Sequence, residues 1–78
     1  MWDYRVMRQH GKIGDIGWVS YGIHEVYGYR KDGRAGAHTR GGVGPSGETF
    51  EELKSNYELM SEAFNKPVLD FETGKEIE

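Results

Sequence analysis

Residues 18–30 read WVSYGIHEVYGYR, a run rich in β-branched and aromatic residues. Such side chains fit the pleated, half-buried surface of a sheet, so the run predicts the longest strand of the fold. Its odd positions are mostly apolar, but Trp18 and Val26 fall on the even side, so neither face is purely polar. A bulge at Gly22 or Gly28 would let the strand change face.

The residues on either side of this run complete a three-stranded meander. Residues 2–9 alternate with the period of two that is typical of a half-buried strand. One side comprises Trp2, Tyr4 and Val6, and the other comprises Asp3, Arg5 and Met7. Residues 10–15 have the glycine spacing of a loop. Asp32-Gly33 predicts a two-residue hairpin turn with positive φ at both residues, and a Gly- and Ala-rich third strand should follow over residues 34–41.

From Glu48 the apolar period changes to that of a helix. The apolar positions recur at steps of three and four and comprise Phe50, Leu53, Tyr57, Met60 and Phe64, widened by Leu59 and Ala63. Thr49 and Glu52 have the spacing of a capping box, and Ser46 is a second candidate cap. The helix should end at Asn65 or Lys66, because Pro67 disfavours helical geometry in the residue before it.

Residues 68–71 predict a short terminal strand, and residues 72–78 a flexible acidic tail of a single domain that spans residues 1–78. The predicted order is β-β-β-α-β. This is an α+β fold with a three- to four-stranded antiparallel sheet and one helix packed on a face.

Composition excludes several classes of function. The chain has 78 residues and no cysteine, which excludes disulfides and thiolate metal sites and favours the cytoplasm. The first residues contain charges at Asp3, Arg5 and Arg8 and no apolar run, so we expect no secretory signal, and no segment has the length of a membrane span.

The sequence Gly42-Val43-Gly44-Pro45-Ser46-Gly47 has the spacing of a dinucleotide-binding loop. Three glutamates follow it in the first helical turn, where they would compete with a phosphate. Pro45 also removes one backbone N–H from the loop. We therefore interpret the stretch as a turn that begins a helix, and we predict no cofactor.

The candidate catalytic groups do not form a pattern. His10, His24 and His38 are each 14 residues apart and lack the spacing of a local metal site. His24 and Glu25 should point to opposite faces of a strand, and Ser46 is better explained by capping. We therefore predict no catalytic residue, no metal ligand and no enzymatic activity.

Charge is distributed unevenly along the chain. Residues 1–45 hold seven Lys or Arg and four Asp or Glu, whereas residues 46–78 hold three and nine, although the net charge is only −3. The acidic helix contributes Glu48, Glu51, Glu52, Glu58 and Glu62. These residues either form a solvated face or imitate a row of phosphates and occupy the basic groove of a protein partner.

The sheet and the basic turn form a second candidate interface, which comprises Trp18, Tyr27, Tyr29, Arg30, Lys31 and Arg34. Its aromatic residues exceed what one helix covers, so a partner or a second copy, in a homodimer through the sheet, would cover them. The alternative is that the second strand changes face at a glycine. Direct nucleic-acid binding by the basic turn is disfavoured by the acidic net charge.

Three resemblances extend these predictions. The meander followed by GETFEEL resembles the N-terminal domain of HicB-type antitoxins, which implies a regulatory subunit that binds a small toxin. From Tyr21 onward, YGIHEVY, PSGETFEEL and KPVLDFE are similar to a group of small bacterial and prophage proteins. In size and charge the chain also resembles phage-encoded anti-CRISPR inhibitors, which implies an inhibitor that engages a nucleic-acid-handling complex. A non-enzymatic protein-binding module of this kind is our main expectation, and an antitoxin-like subunit and a nucleic-acid-binding protein are the alternatives.

Overall fold

Two long strands dominate the structure, a computed structural model that describes residues 2–78. In chain order the elements are β1 (Trp2–Ile13), β2 (Ile16–Tyr27), α1 (Phe50–Ser61) and β3 (Leu69–Asp70), and a 3-10 turn at Glu62–Asn65 follows α1. The α+β class is confirmed. The sheet has the order β2-β1-β3 and is mixed, since β1 pairs antiparallel with β2 and parallel with β3.

The loop predicted over residues 10–15 is only two residues long. β1 and β2 pair without interruption from Trp2↔Tyr27 to Ile13↔Ile16, and Gly14 and Asp15 form the turn. Gly14 has a φ of 62° and Asp15 does not have a positive φ, which fits a type II′ hairpin turn. Because the turn is tight, β1 continues through residues 10–13, for which a loop is predicted.

The predicted third strand over residues 34–41 is not a regular strand, so the β-β-β-α-β order is only partly matched. This segment follows the outer edge of β2 through isolated bridges at Val26↔His38 and Tyr29↔Ala35. Its glycines and alanines have little side chain to pack, which explains the irregular pairing. The turn before it contains Asp32 and Gly33 as predicted, but only Gly33 has a positive φ.

Val6 is buried on one face of β1, but the core cluster lies on the other face, which carries Asp3, Arg5 and Met7. Met7, Val26, Ala35 and Leu69 form its buried cluster. Arg5 and His24, which are cross-strand neighbours, are also buried on this face. Residues 35–39 and the C-terminal segment cover it, whereas the Trp2 side chain on the opposite face is exposed.

The helical region begins and ends where the sequence predicts, although α1 itself ends at Ser61 and the 3-10 turn continues to Asn65. The Thr49 hydroxyl accepts a hydrogen bond from the Glu52 N–H at 3.1 Å and caps α1. The 3-10 turn ends at Asn65, and Lys66 is extended before Pro67. In contrast, little of the apolar face is buried, because Met60 and Ala63 alone among the apolar residues of 50–65 are buried. Among residues 2–78 no helix is long and apolar enough to cross a membrane.

Residues 72–78, for which a flexible tail is predicted, fold back along β3. The Asp70 N–H donates to the Lys75 carbonyl at 2.7 Å, and the Ile77 N–H donates to the Val68 carbonyl at 2.8 Å. The Glu78 carboxylate accepts a hydrogen bond from the Tyr21 hydroxyl at 2.7 Å. The hydrogen bond raises the pKa of Tyr21 above its ordinary value, and desolvation adds to the effect.

Candidate protein-interaction surfaces

Three large apolar side chains of α1 face solvent in a row, which we call the apolar stripe: Phe50, Leu53 and Tyr57. They are spaced by three and four residues and therefore share one side of the helix. Their exposed fractions are 74%, 39% and 61%. With Pro45 and Lys54 they line a depression of about 300 Å³. A row of this kind is typical of a helix that docks in a groove of another protein.

Next to the stripe lies a row of carboxylates that we call the acidic ridge: Glu51, Glu58 and Glu62. Spacings of seven and four residues place them on one side of the helix, nearly opposite the buried Met60. All three are exposed. The ion pairs among residues 2–78 join Arg5 to Glu76, Arg8 to Glu78, Arg34 to Asp32 and Lys66 to Asp3, and none includes a ridge glutamate.

The other two glutamates of the predicted acidic interface have a local structural role. The Glu52 carboxylate accepts a hydrogen bond from the Glu48 N–H at 2.8 Å, while the Glu52 N–H donates to Thr49. This arrangement resembles a capping box in which the carboxylate reaches one residue further back than usual. Glu48 and Glu52 therefore lie at the helix start, apart from the ridge.

The aromatic residues of the predicted sheet interface do not form one surface. Trp18 lies near the hairpin turn with its indole over Gly11, where an added Cβ would lie 2.6 Å from the ring. Tyr27 is at the other end of β2, opposite Trp2 and on the other face of the sheet. The Tyr29 hydroxyl accepts a hydrogen bond from Arg5 at 3.0 Å and donates to Asp3 at 3.2 Å.

The three basic residues at the predicted hairpin tip, Arg30, Lys31 and Arg34, differ in whether they form an ion pair. Arg30 and Lys31 are exposed. The Arg34 guanidinium lies 3.0 Å from the Asp32 carboxylate, which partly neutralises its charge. Arg34 also lines a depression of about 410 Å³ together with Lys75 and Glu76.

Two histidines that are 14 residues apart in sequence meet in the fold. The Thr39 carbonyl accepts from Nδ1 of His24 at 2.9 Å and lies 2.7 Å from Nδ1 of His38, and both rings pack edge-on against Phe71. His38 also reaches the Phe71 carbonyl through Nε2 at 3.1 Å. These contacts give both rings a structural role. Within residues 2–78 no three His, Asp or Glu side chains are grouped to hold a metal ion.

Sequence reasoning missed the outer part of the hairpin, where large apolar side chains are exposed. Ile13, Ile16 and Val19 are exposed by 75%, 74% and 60%. The β-branched residues Ile13 and Ile16 on both sides of Gly14-Asp15 are typical of strands and could have indicated the longer hairpin. The glycine spacing of residues 10–15 favoured a loop instead.

No protein-family model matches the chain, and comparison with curated proteins and with solved structures found no significant similarity.

Proposed function

We propose that the chain is a non-enzymatic protein-binding module that docks α1 on a partner through the apolar stripe and the acidic ridge. The single observation that carries the proposal is the exposure of Phe50, Leu53 and Tyr57 in one row. Exposed apolar rows with a polar border are typical of protein–protein interfaces.

The acidic ridge defines the kind of partner. Glu51, Glu58 and Glu62 are free of ion pairs within residues 2–78, so they are available to a basic surface. A surface that combines an apolar groove with lysines and arginines complements both rows of α1. Nucleic-acid-binding grooves are dense in such cations, and the specific form of the proposal is an inhibitor that occupies the groove of a bacterial nucleic-acid-handling complex.

The test places a photo-crosslinking amino acid at Tyr57 of the full chain in bacterial cells. The same amino acid at Tyr27, which is exposed and belongs to β2 instead of α1, is the control. We expect a protein that crosslinks at position 57 and not at position 27. Purified, it should bind the chain, and added single- or double-stranded nucleic acid should compete with that binding.

Charge reversal tests the role of the ridge. Glu58→Lys combined with Glu62→Lys should weaken binding to that protein, because both side chains lie outside the helix cap. Asp15→Lys combined with Glu72→Lys changes the net charge equally at exposed sites elsewhere and should leave binding intact. Equal crosslinking at both positions, or equal effects of both double variants, would contradict the proposal.

A further inference from the structure

The outer edge of β2 is paired over only half of its length. Residues 35–43 bond to it at Ile23, Glu25 and Tyr27, with distances of 2.8, 3.0 and 2.8 Å. Alternate residues of a strand direct their N–H and C=O groups to the same edge. Gly17, Val19 and Tyr21 therefore direct theirs to this edge too, where residues 2–78 supply no backbone partner.

The free part of this edge lacks the features that prevent strands from pairing. Residues 16–22 read IGWVSYG and contain no charged residue and no proline. Proteins usually protect exposed edges with lysine, proline or a bulge. On the neighbouring strand, Arg8 and Lys12 provide such charges. The edge of β2 is therefore the one suited to accept another strand.

The chain exposes more surface than a compact monomer of the same mass. The accessible surface is 5640 Å², whereas a folded monomer of this mass exposes about 4,800 Å². The radius of gyration is 13.8 Å, compared with about 11.5 Å for a compact chain of this length. The surplus of about 800 Å² is similar to what one partner buries in an interface of standard size, and both the outer hairpin and the apolar stripe contribute to it.

We propose that a second copy of this chain pairs with the free edge of β2, antiparallel, about a two-fold axis at Val19. The free segment extends three residues on each side of Val19, from Ile16 after the turn to Gly22 before the paired part. Val19 then lies opposite the partner's Val19, and Gly17 lies opposite the partner's Tyr21. Every free N–H and C=O group of Gly17, Val19 and Tyr21 gains a hydrogen bond, and the two hairpins form one continuous sheet.

Symmetry favours a second copy over a different protein. An antiparallel strand paired with itself is self-complementary, as a two-fold interface requires. The uncharged segment places no like charges opposite each other. The pairing also adds neighbouring strands to the outer, two-stranded part of the hairpin. An isolated two-stranded hairpin is only marginally stable in water, so the added strands stabilise it.

Sedimentation equilibrium of the full chain tests the proposal. We expect twice the chain mass of 8.9 kDa at micromolar concentration. Val19→Pro removes an N–H that points away from β1, and proline is tolerated at such edge positions, so the hairpin should persist while the dimer dissociation constant rises roughly tenfold or more. Circular dichroism verifies the fold of the variant.

Two further variants keep the test decisive if Val19→Pro does not fold. Val19→Lys places like charges opposite each other and should give monomers, and Val19→Thr retains a β-branched residue and should remain dimeric. Tyr57→Ser, on the apolar stripe, should not alter the mass. A wild-type mass of 8.9 kDa at all concentrations, or monomers produced by Tyr57→Ser but not by Val19→Lys, would overturn the proposal.

Discussion

The guanidinium of Arg5 donates a hydrogen bond to the Pro67 carbonyl at 2.8 Å and thereby joins the first strand to the segment after the helix. A second nitrogen of the same group donates to the Tyr29 hydroxyl at 3.0 Å, and the Arg5 cation lies 5.7 Å from the centre of the Tyr29 ring. The Arg5 side chain is buried, and the carboxylate of Glu76 is 3.8 Å away. Arg5 thus links three segments that are distant in sequence.

Arg5→Ala should lower the free energy of unfolding by about 2–4 kcal/mol, since it removes buried hydrogen bonds and leaves the Pro67 carbonyl and the Tyr29 hydroxyl without this partner. Urea denaturation measures the effect. Arg40→Ala, at an exposed position, should change stability by less than about 0.5 kcal/mol. Equal stabilities of the two variants would contradict the role assigned to Arg5.

Gly11→Ala should displace the Trp18 indole, because the added Cβ would lie 2.6 Å from the ring. We expect the free energy of unfolding to fall by about 1 kcal/mol and the fluorescence emission of Trp18 to shift to the red. All proteins compared carry Trp2→Phe, so that the emission comes from Trp18. Gly17→Ala is the matched control, since its Cβ has no neighbour closer than 3.8 Å. The same shift in both variants would exclude a specific Gly11–Trp18 contact.

Gly74→Ala should destabilise the fold more than Gly33→Ala. Both glycines have a positive φ, of 75° and 88°, which costs an alanine about 1–2 kcal/mol. At Gly74 the new Cβ would also lie 3.0 Å from the backbone of Ala35, whereas at Gly33 it meets no atom within 4 Å. We expect about 3 kcal/mol at Gly74 and about 1 kcal/mol at Gly33 from thermal or urea unfolding. A smaller cost at Gly74 would mean that the C-terminal segment does not pack against Ala35.

Thr49→Ala should lower stability by about 1 kcal/mol, because it removes the hydroxyl that caps α1. Ser46→Ala should have little effect, since Ser46 uses its backbone N–H, which donates to Asn56 at 2.9 Å. Helical circular dichroism and urea denaturation distinguish the two. A larger effect of Ser46→Ala would show that Ser46, and not Thr49, caps α1.

The Asp3–Lys66 pair should contribute to stability only above acidic pH. Burial opposes ionisation of Asp3, but hydrogen bonds from Lys66 and Tyr29 and the charge of Lys66 outweigh it and lower the pKa of Asp3 below its ordinary value of 3.8. The stabilisation is therefore complete above the unfolded-state pKa and is lost as the pH falls through the folded-state pKa.

Asp3→Asn should be less stable than the wild type at neutral pH by about 0.5 kcal/mol, as is usual for a partly exposed pair. The difference should shrink as the pH falls below 3.8, which urea denaturation at a series of pH values measures. Glu72→Gln, at an exposed carboxylate, is the control. A difference that is constant with pH would show that the ion pair is not its source.

Local rules predicted the helix better than they predicted the sheet. Thr49 and Pro67 mark the start and the end of the helical region through contacts within a few residues, so spacing alone located them. The extent of the hairpin depended on Gly11, which takes strand geometry because its backbone pairs with Trp18 on the neighbouring strand. That contact is not local, and a glycine in isolation indicates a loop.

For the candidate surfaces, spacing predicted which residues share a side of the helix but not which side is buried. The sequence predicted one acidic interface of five glutamates. Glu51, Glu58 and Glu62 are exposed on one side of the helical region, whereas Glu48 and Glu52 lie at the helix start. The same spacing predicted that Phe50 and Tyr57 would be buried, but they are exposed, and among the apolar residues of 50–65 only Met60 and Ala63 are buried. Periodicity describes which residues share a side of a helix, and it does not describe which side another element covers.

The sequence by itself determined the elements whose causes lie within a turn or a strand: the α+β class, the capped helix and the alternating strands. Only the tertiary structure decided which face of β1 is buried, that His24 meets His38, and where the edge of β2 stays free. The physical reason is that these features depend on the path of residues 28–43 and 66–78 across the sheet. That path is set by packing and hydrogen bonds between residues far apart in the chain.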